Sequence, residues 1–407
     1  MTAGVVDDRT ARAAWSALVE PGDQVAGLLV GAMGALPAWR WLEEVLSGAG
    51  GDPRADAPVP AVARDEEPAG EAASAPPDRA RLGRAVRRWA GRFTGVDPRR
   101  DLELLERSGG RLVVPGDTGW WAGLDDLGPA APACLWVRGE LRAGERGVAL
   151  VGARASTSYG ERVAVDLASR LGALGWCTVS GGAYGVDAAA HRGALAGGGR
   201  TVVVVAGGAD RPYPAGNARL FEAVVESGGA VVSEVPPGAV PTRSRFLQRN
   251  RLIAAGTVAT VVVEAAWRSG AMSTARHAAR LLRPVGAVPG PVTSVASAGC
   301  HRLLREGLAV CVTDADEVVE LAGEVGAGLV TELPTDTRPT DGLDEESGRV
   351  HGALRRTVGS TVEELASRAG LDRESVEVAL GTLELAGLAR RSGRSWTLAG
   401  TSQAMSG

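Results

Sequence analysis

Seven short β-branched runs constrain this chain most: "GVALVGAR", "GWCTVSGG", "TVVVVAGG", "AVVSEVP", "VATVVVEA", "VGAVPG" and "LAVCVT", in that order from position 147 to position 313. Within each run the apolar residues are continuous. A strand with one wet face alternates apolar and polar residues, so a continuous run means burial on both faces. Helix-length segments separate most of the runs. The pattern predicts an α/β fold, a Rossmann-like doubly wound and mainly parallel sheet with helices packed on each side.

The flanks read differently. Residues 1–47 form an N-terminal helical region, with "ARAAWSALVE" and "WRWLEEVLSG" carrying apolar residues at three- and four-residue spacing and Pro21-Gly22 and Pro37 between them. Residues 48–78 are rich in Ala, Pro, Gly and acid and offer nothing to bury, so they are expected to be a disordered insert. A helical segment at 79–109 continues the N-terminal domain. The sheet domain is assigned to 110–321, opening with a mostly irregular stretch that ends in a short strand, Cys134 to Arg138. A linker at 322–348 leads to a winged-helix module at 349–400. There Ser360 or Thr361 opens a capping box with Glu363 or Glu364, Gly370 ends that helix, Asp372 caps the next and Gly387 terminates it. Two short strands around Ser392-Gly393 complete the module.

Composition removes whole classes of chemistry. With 407 residues, 45% of them hydrophobic, the chain has room for two or three cored domains. It contains no lysine, so every cation is arginine, and a Walker-type phosphate loop, a Schiff base and a catalytic lysine are all excluded. Cys134, Cys177, Cys300 and Cys311 form no C-x-x-C pair, and His191, His277, His301 and His351 have no metal-ligand spacing; no metal and no cofactor is expected. The N-terminus "MTAGVVDDRT" lacks an apolar signal segment, and no apolar run reaches the roughly 18 residues of a membrane span. The chain reads as soluble and cytoplasmic, with no membrane partner. Its net charge is -4, yet 17 arginines face nine acids between Val148 and Val312. The sheet domain is the basic part.

In an open parallel sheet the ligand crevice lies beyond the carboxyl ends of the strands. Five loops follow those ends: "VGARASTSYG", "SGGAYGVDAAAH", "AGGADRPYPAGN", "SEVPPGAVPTRSRF" and "EAAWRSGAMSTA". Each combines Gly or Ser with polar or cationic side chains. Glycine lets backbone N–H groups approach a phosphate, and the following helix N-terminus adds partial positive charge. Side by side they describe a polyanion site. Arg154, directly after the first strand, fits a phosphate ligand better than a structural pair. Arg211 and Tyr213 could join a phosphate contact to a stacking surface, though a tyrosine packed under its own proline-rich turn fits equally. Asp187 and His191 stand four apart on a helix and read as capping and packing, since no nucleophile or second carboxylate accompanies them. Glu264, at a strand end, reads as an anchor for arginines or backbone amides.

The stretch "PTRSRFLQRNRLIAAG" must cross from the fourth strand to the fifth, with its helix starting at about Thr242. Helical spacing puts Phe246, Asn250 and Ile253 on one face and Arg245 and Arg249 on another. No acid occurs from Pro236 to Val263, unlike an ordinary solvated charge run. Asn250, Arg249 and Arg251 are expected as contacts to an anion, and Phe246 and Ile253 as anchors to the sheet.

These motifs in this order, with "FLQRNRLIAAG", "VVEAAWRSGAMSTARHA" and "VPGP", resemble the DNA-processing protein A family, also called DprA or Smf, over roughly residues 110–315. The resemblance implies a generally dimeric protein that binds single-stranded DNA without strong sequence preference, protects it, and helps load the RecA recombinase in natural transformation. It implies Arg154 as a phosphate ligand, Gly208 and Arg211 as part of the strand pocket and Asn250 as a polar contact. Position and chemistry add Tyr213, Arg249, Arg251, Ser269 and Gly270. The third-strand loop departs from the family's Gly-x-Gly by reading "AGGADR", and the acidic insert is unusual. Two rivals fit less well. A nucleotide phosphoribohydrolase-like enzyme needs an Arg and a Glu around P-G-G-x-G-T-x-x-E, which "WRSGAMSTARHA" lacks. A duplex-binding regulator would use Arg390, Arg391 and Arg394 of the wing, but Glu374, Glu377 and Glu384 on the recognition helix oppose a major-groove role. The reading is a binding protein with no catalytic residues.

Overall fold

The computed structural model describes residues 5–48, 79–323 and 342–399. Nearly all of the expected insert at 48–78 and most of the expected linker at 322–348 lie outside the described residues. The chain divides into two units, Met1–Leu329 and Val330–Gly407.

The first unit opens with five helices: α1 (Asp8–Leu18), α2 (Gln24–Met33), α3 (Ala35–Leu46), α4 (Arg79–Phe93) and α5 (Pro98–Arg107). Tryptophan explains why the first four hold together. Trp15 meets Trp39 edge-on at 5.6 Å and Trp89 at 5.4 Å between ring centroids, so α1, α3 and α4 share one aromatic core. Asp23 caps α2 through the amides of Val25 and Ala26, and also accepts from the Trp89 indole at 3.2 Å. No single helix among the described residues is long and apolar enough to cross a membrane.

A nine-stranded sheet follows. Its strands are β1 (Gly110–Val113), β2 (Leu135–Gly139), β3 (Gly147–Val151), β4 (Cys177–Ser180), β5 (Thr201–Val204), β6 (Ala230–Ser233), β7 (Ala259–Val262), β8 (Val285–Ala287) and β9 (Val310–Cys311). The order across the sheet is β1-β2-β6-β5-β4-β3-β7-β8-β9. Strands β3 to β9 are parallel to one another, and β1 and β2 add an antiparallel edge. The seven runs are the seven parallel strands, and the α/β doubly wound reading holds. Strand β1 was not anticipated in its irregular stretch. Only half of "GRLV" is buried, and the strand is defined by its pairing with β2, from Gly110 opposite Arg138 to Val113 opposite Leu135.

Seven helices accompany this sheet: α6 (Ser158–Ala173), α7 (Val186–Ala196), α8 (Ala218–Glu226), α9 (Arg243–Ala255), α10 (Ala271–Arg280), α11 (Ala298–Arg305) and α12 (Ala315–Ala322). One core joins α6, α7 and α12 to Val148, Leu150 and Val261; the other joins α9, α10 and α11 to Ala149, Val151 and Val262. Alternate residues of β3 therefore point to opposite cores, which is why the run has no polar position. Gly193 lets α7 approach α6 closely, since a Cβ there would collide with the backbone of Val165. The N-terminal helices are joined to the sheet through Ser16, whose hydroxyl donates to the Glu234 carbonyl at 2.6 Å and accepts from the Trp136 indole at 2.9 Å.

The second unit contains α13 (Glu345–Ala353), α14 (Val362–Ala369), α15 (Arg373–Leu385) and the hairpin of β10 (Ala389–Ser392) and β11 (Ser395–Leu398). Thr361 and Glu364 form the capping box of α14, Gly370 closes it in the left-handed conformation, and Asp372 caps α15. Asp344 caps α13, which begins inside the stretch assigned to the linker.

Candidate nucleic-acid interface

Strand order locates the crevice. From β3 the chain builds outward through β4, β5 and β6, and then α9 carries it back to β7 on the other side of β3. The loops after β3 and β7 leave in opposite directions at this switch point, which opens a cleft at the carboxyl ends. Two adjoining cavities of about 450 and 850 Å³ occupy it, sharing Arg154, Phe246, Leu247, Arg268, Ser269 and Gly270 as walls.

Phe246 is the centre of this cleft. The Arg154 guanidinium lies 4.5 Å from its ring centroid, and Tyr213 tilts against it at 5.8 Å. Arg154 and Tyr213 are exposed, so a cation and two aromatic surfaces face solvent together. Sequence spacing assigned Phe246 to the sheet contact. That corrects to a cleft wall, while Ile253 on the same helix face is fully buried and does pack inward.

Arg249 and Arg251 require the opposite correction. Arg249 is 6% exposed and donates to the strand-end carbonyls of Gly181, at 2.6 Å, and Val204. Burial pushes its pKa down to about 10, with Asp187 pulling the other way, so it stays charged at neutral pH. Arg251 is 2% exposed and paired to Glu234 at 2.5 Å. Both guanidinium groups act as struts that hold α9 to the ends of the sheet. The second half of α9, Arg249 to Ala255, is buried throughout; Arg249 still lines the floor of the smaller cavity, whereas Arg251 lines neither. Asn250 is buried as well, at 7% exposure, yet it lines the smaller cavity, and its amide donates to the Gly270 carbonyl at 3.3 Å, tying α9 to the start of α10.

Ser269 and Gly270 lie in both cavity walls, as expected for a loop opening a helix. Gly208 and Arg211 do not join them. Gly208 donates its amide to Ala239 at 2.9 Å, and a Cβ there would strike Asp210 and the Pro236 carbonyl, so the glycine serves the packing of its own loop. Arg211 is exposed beside Asp210, at 3.8 Å, outside both walls. Glu264 anchors amides as read: it accepts from the Thr157 amide at 2.9 Å and hydroxyl at 2.6 Å, fixing the first turn of α6 beside Arg154. Asp187 accepts from the Ala183 amide at 3.3 Å.

Sequence reasoning missed most of the cationic wall. Arg243, Arg268, Arg276 and Arg302 surround the larger cavity with Arg154, and no Asp or Glu lies in that wall. Among the described residues, Arg154, Arg243, Arg268 and Arg276 are exposed and form no ion pair. Trp267 stands in the same wall. The available signal was "EAAWRSG", an aromatic and an arginine directly after a buried strand.

The model of the family described as DNA recombination-mediator protein A matches residues 111–323. A putative DNA processing protein DprA of Mycobacterium tuberculosis is 48% identical over 320 residues, covering 75% of this chain and 81% of that one. Protein Smf of Escherichia coli is 34% identical over 308 residues, covering 74% and 81%. The X-ray structure of DNA processing protein A from Streptococcus pneumoniae superimposes with a TM-score of 0.52 at 31% identity, covering 59% of this chain and 84% of that one.

Proposed function

The chain belongs to the DNA recombination-mediator protein A family, DprA/Smf, and on that premise we propose that its strand-end cleft binds single-stranded DNA. The carrying observation is the larger cavity wall, in which five arginines gather without one carboxylate. Phosphate is the anion this wall fits, since guanidinium groups bridge phosphate oxygens and four of the five arginines form no ion pair among the described residues, Arg302 alone being paired, to Glu306. The half-exposed rings beside the arginines favour an unpaired strand, because paired bases in a duplex keep their faces stacked on one another. No base-edge reading is needed, so binding is broadly sequence-independent.

Bound in this way, the strand is shielded and presented to the RecA recombinase by a cytoplasmic homodimer that performs no catalysis itself. The second unit acts as a winged helix. Its α15 exposes Glu374 and Glu377, which favours contact with protein over entry into a DNA groove. The test compares wild type with Arg154→Ala and Arg268→Ala in mobility shifts with a short single strand and the matching duplex, with RecA filament formation followed on the same strand. Weaker single-strand binding in both variants supports the cleft. Undiminished binding in both, with folding intact, removes it.

A further inference from the structure

All ten tryptophans lie among the described residues, and nine are buried at 8% exposure or less; Trp267 is 50% exposed. An indole is a large apolar surface, and this chain otherwise keeps that surface inside its cores. The exception falls in the loop after β7, in the wall of the larger cavity. Placement of the exposed aromatics generalises the point. Among the described residues, Tyr159, Tyr184, Tyr213 and Trp267 are the exposed ones, and each follows the carboxyl end of a parallel strand, β3, β4, β5 and β7 in turn. Tyr159 donates its hydroxyl to Pro289 at 2.7 Å, whereas Trp267 is held by its ring face. The Arg302 guanidinium, from α11, lies 4.7 Å from the indole centroid, and Glu306 holds that arginine at 2.6 Å. The ring is thus oriented before any ligand arrives, which reduces the entropy lost on stacking.

We propose that Trp267, backed by Arg302, is a second base-stacking station, taking one unpaired base further along the strand than the station at Phe246 and Tyr213. The inference rests on the single-strand reading above. The arginines between the two stations hold the intervening phosphates, so the strand is read as backbone with a base clamped at each end. Stacking on an aromatic ring is sequence-tolerant, because every base presents a π-face.

The test uses the full chain, wild type and Trp267→Ala, Trp267→Phe and Arg154→Ala, with a short dT strand and a set of such strands carrying one abasic site at successive positions. Trp267→Ala should weaken binding of the intact strand about tenfold, and Trp267→Phe should recover most of that loss. Wild type should show two abasic positions that weaken binding, and Trp267→Ala should abolish the sensitivity of one while leaving the other. Binding should also quench tryptophan emission in wild type but not in Trp267→Phe, because the other indoles are buried. Equal binding by wild type and Trp267→Ala, or an unchanged abasic profile, overturns the inference. If Arg154→Ala still weakens binding in that case, the cleft stands and only the second station falls; if Arg154→Ala is also without effect, the cleft itself is wrong.

Discussion

Arg154 and Arg251 carry the same guanidinium group in opposite circumstances. Arg154 is exposed against the Phe246 ring, so its removal deletes a proposed ligand contact and leaves no buried charge behind. Arg154→Ala should weaken single-strand affinity about tenfold, near 1.4 kcal/mol, with unfolding unchanged; binding titrations and thermal melts read both. Arg251 is enclosed with Glu234, and its removal leaves a buried carboxylate unpaired. Arg251→Ala should cost about 3–5 kcal/mol in denaturant unfolding, while the folded fraction binds DNA as wild type does. A variant that is stable but does not bind would return Arg251 to the site. Sequence made Arg154 legible because its place after a buried strand is a local fact. It did not separate Arg251 from a contact, since helical spacing says which residues share a face but not what that face meets.

At the level of elements, α9 and α7 differ in what their patterns disclosed. The start of α9 was legible from its prolines, and Thr242 does cap it by accepting from the Arg245 amide at 3.2 Å. Its surroundings were not, because Arg245 is taken by Glu20, 225 residues away, at 2.9 Å. Helix α7 was read as packing through His191, and its ring nitrogen Nδ1 meets the Thr201 hydroxyl at 2.7 Å. That hydroxyl already donates to the Thr178 carbonyl at 2.7 Å, so it accepts here, and Nδ1 carries the proton. Nε2 is then a buried acceptor without a partner, and burial pushes the histidine pKa down to about 3. The folded state holds fewer protons than the unfolded state between about pH 3 and pH 6.5, so stability is lost as pH falls through that window, by up to about 1.4 kcal/mol per unit. Burial raises the pKa of Asp187, which acts in the reverse sense, so the measurement is a difference. Melting of wild type should decline more steeply than that of His191→Gln between about pH 7 and pH 5. Parallel declines would mean that the ring titrates freely.

At the scale of the molecule, the order of parts was legible and their attachment was not. Continuous valine runs and Gly-rich strand ends are local patterns, and they specify a parallel sheet and the edge where its cleft opens. The ties between the N-terminal helices and that sheet, Ser16 to Glu234 and Glu20 to Arg245, join residues more than 200 positions apart and leave no periodic trace. Charge shows the same division. A net charge of -4 offers a polyanion no global attraction, so the affinity has to arise within the acid-free wall of the cleft. Four exposed arginines there form no ion pair among the described residues, and each can displace one counterion from a single strand. The logarithm of affinity should therefore fall against the logarithm of salt with a slope of about -3, and Arg268→Ala should reduce that slope by about 0.7. Because the cations are arginines, the slope should not change between about pH 6 and pH 8. Affinity titrations across a salt series check this, and a nearly flat line would mean that stacking, not the arginine wall, supplies the binding energy.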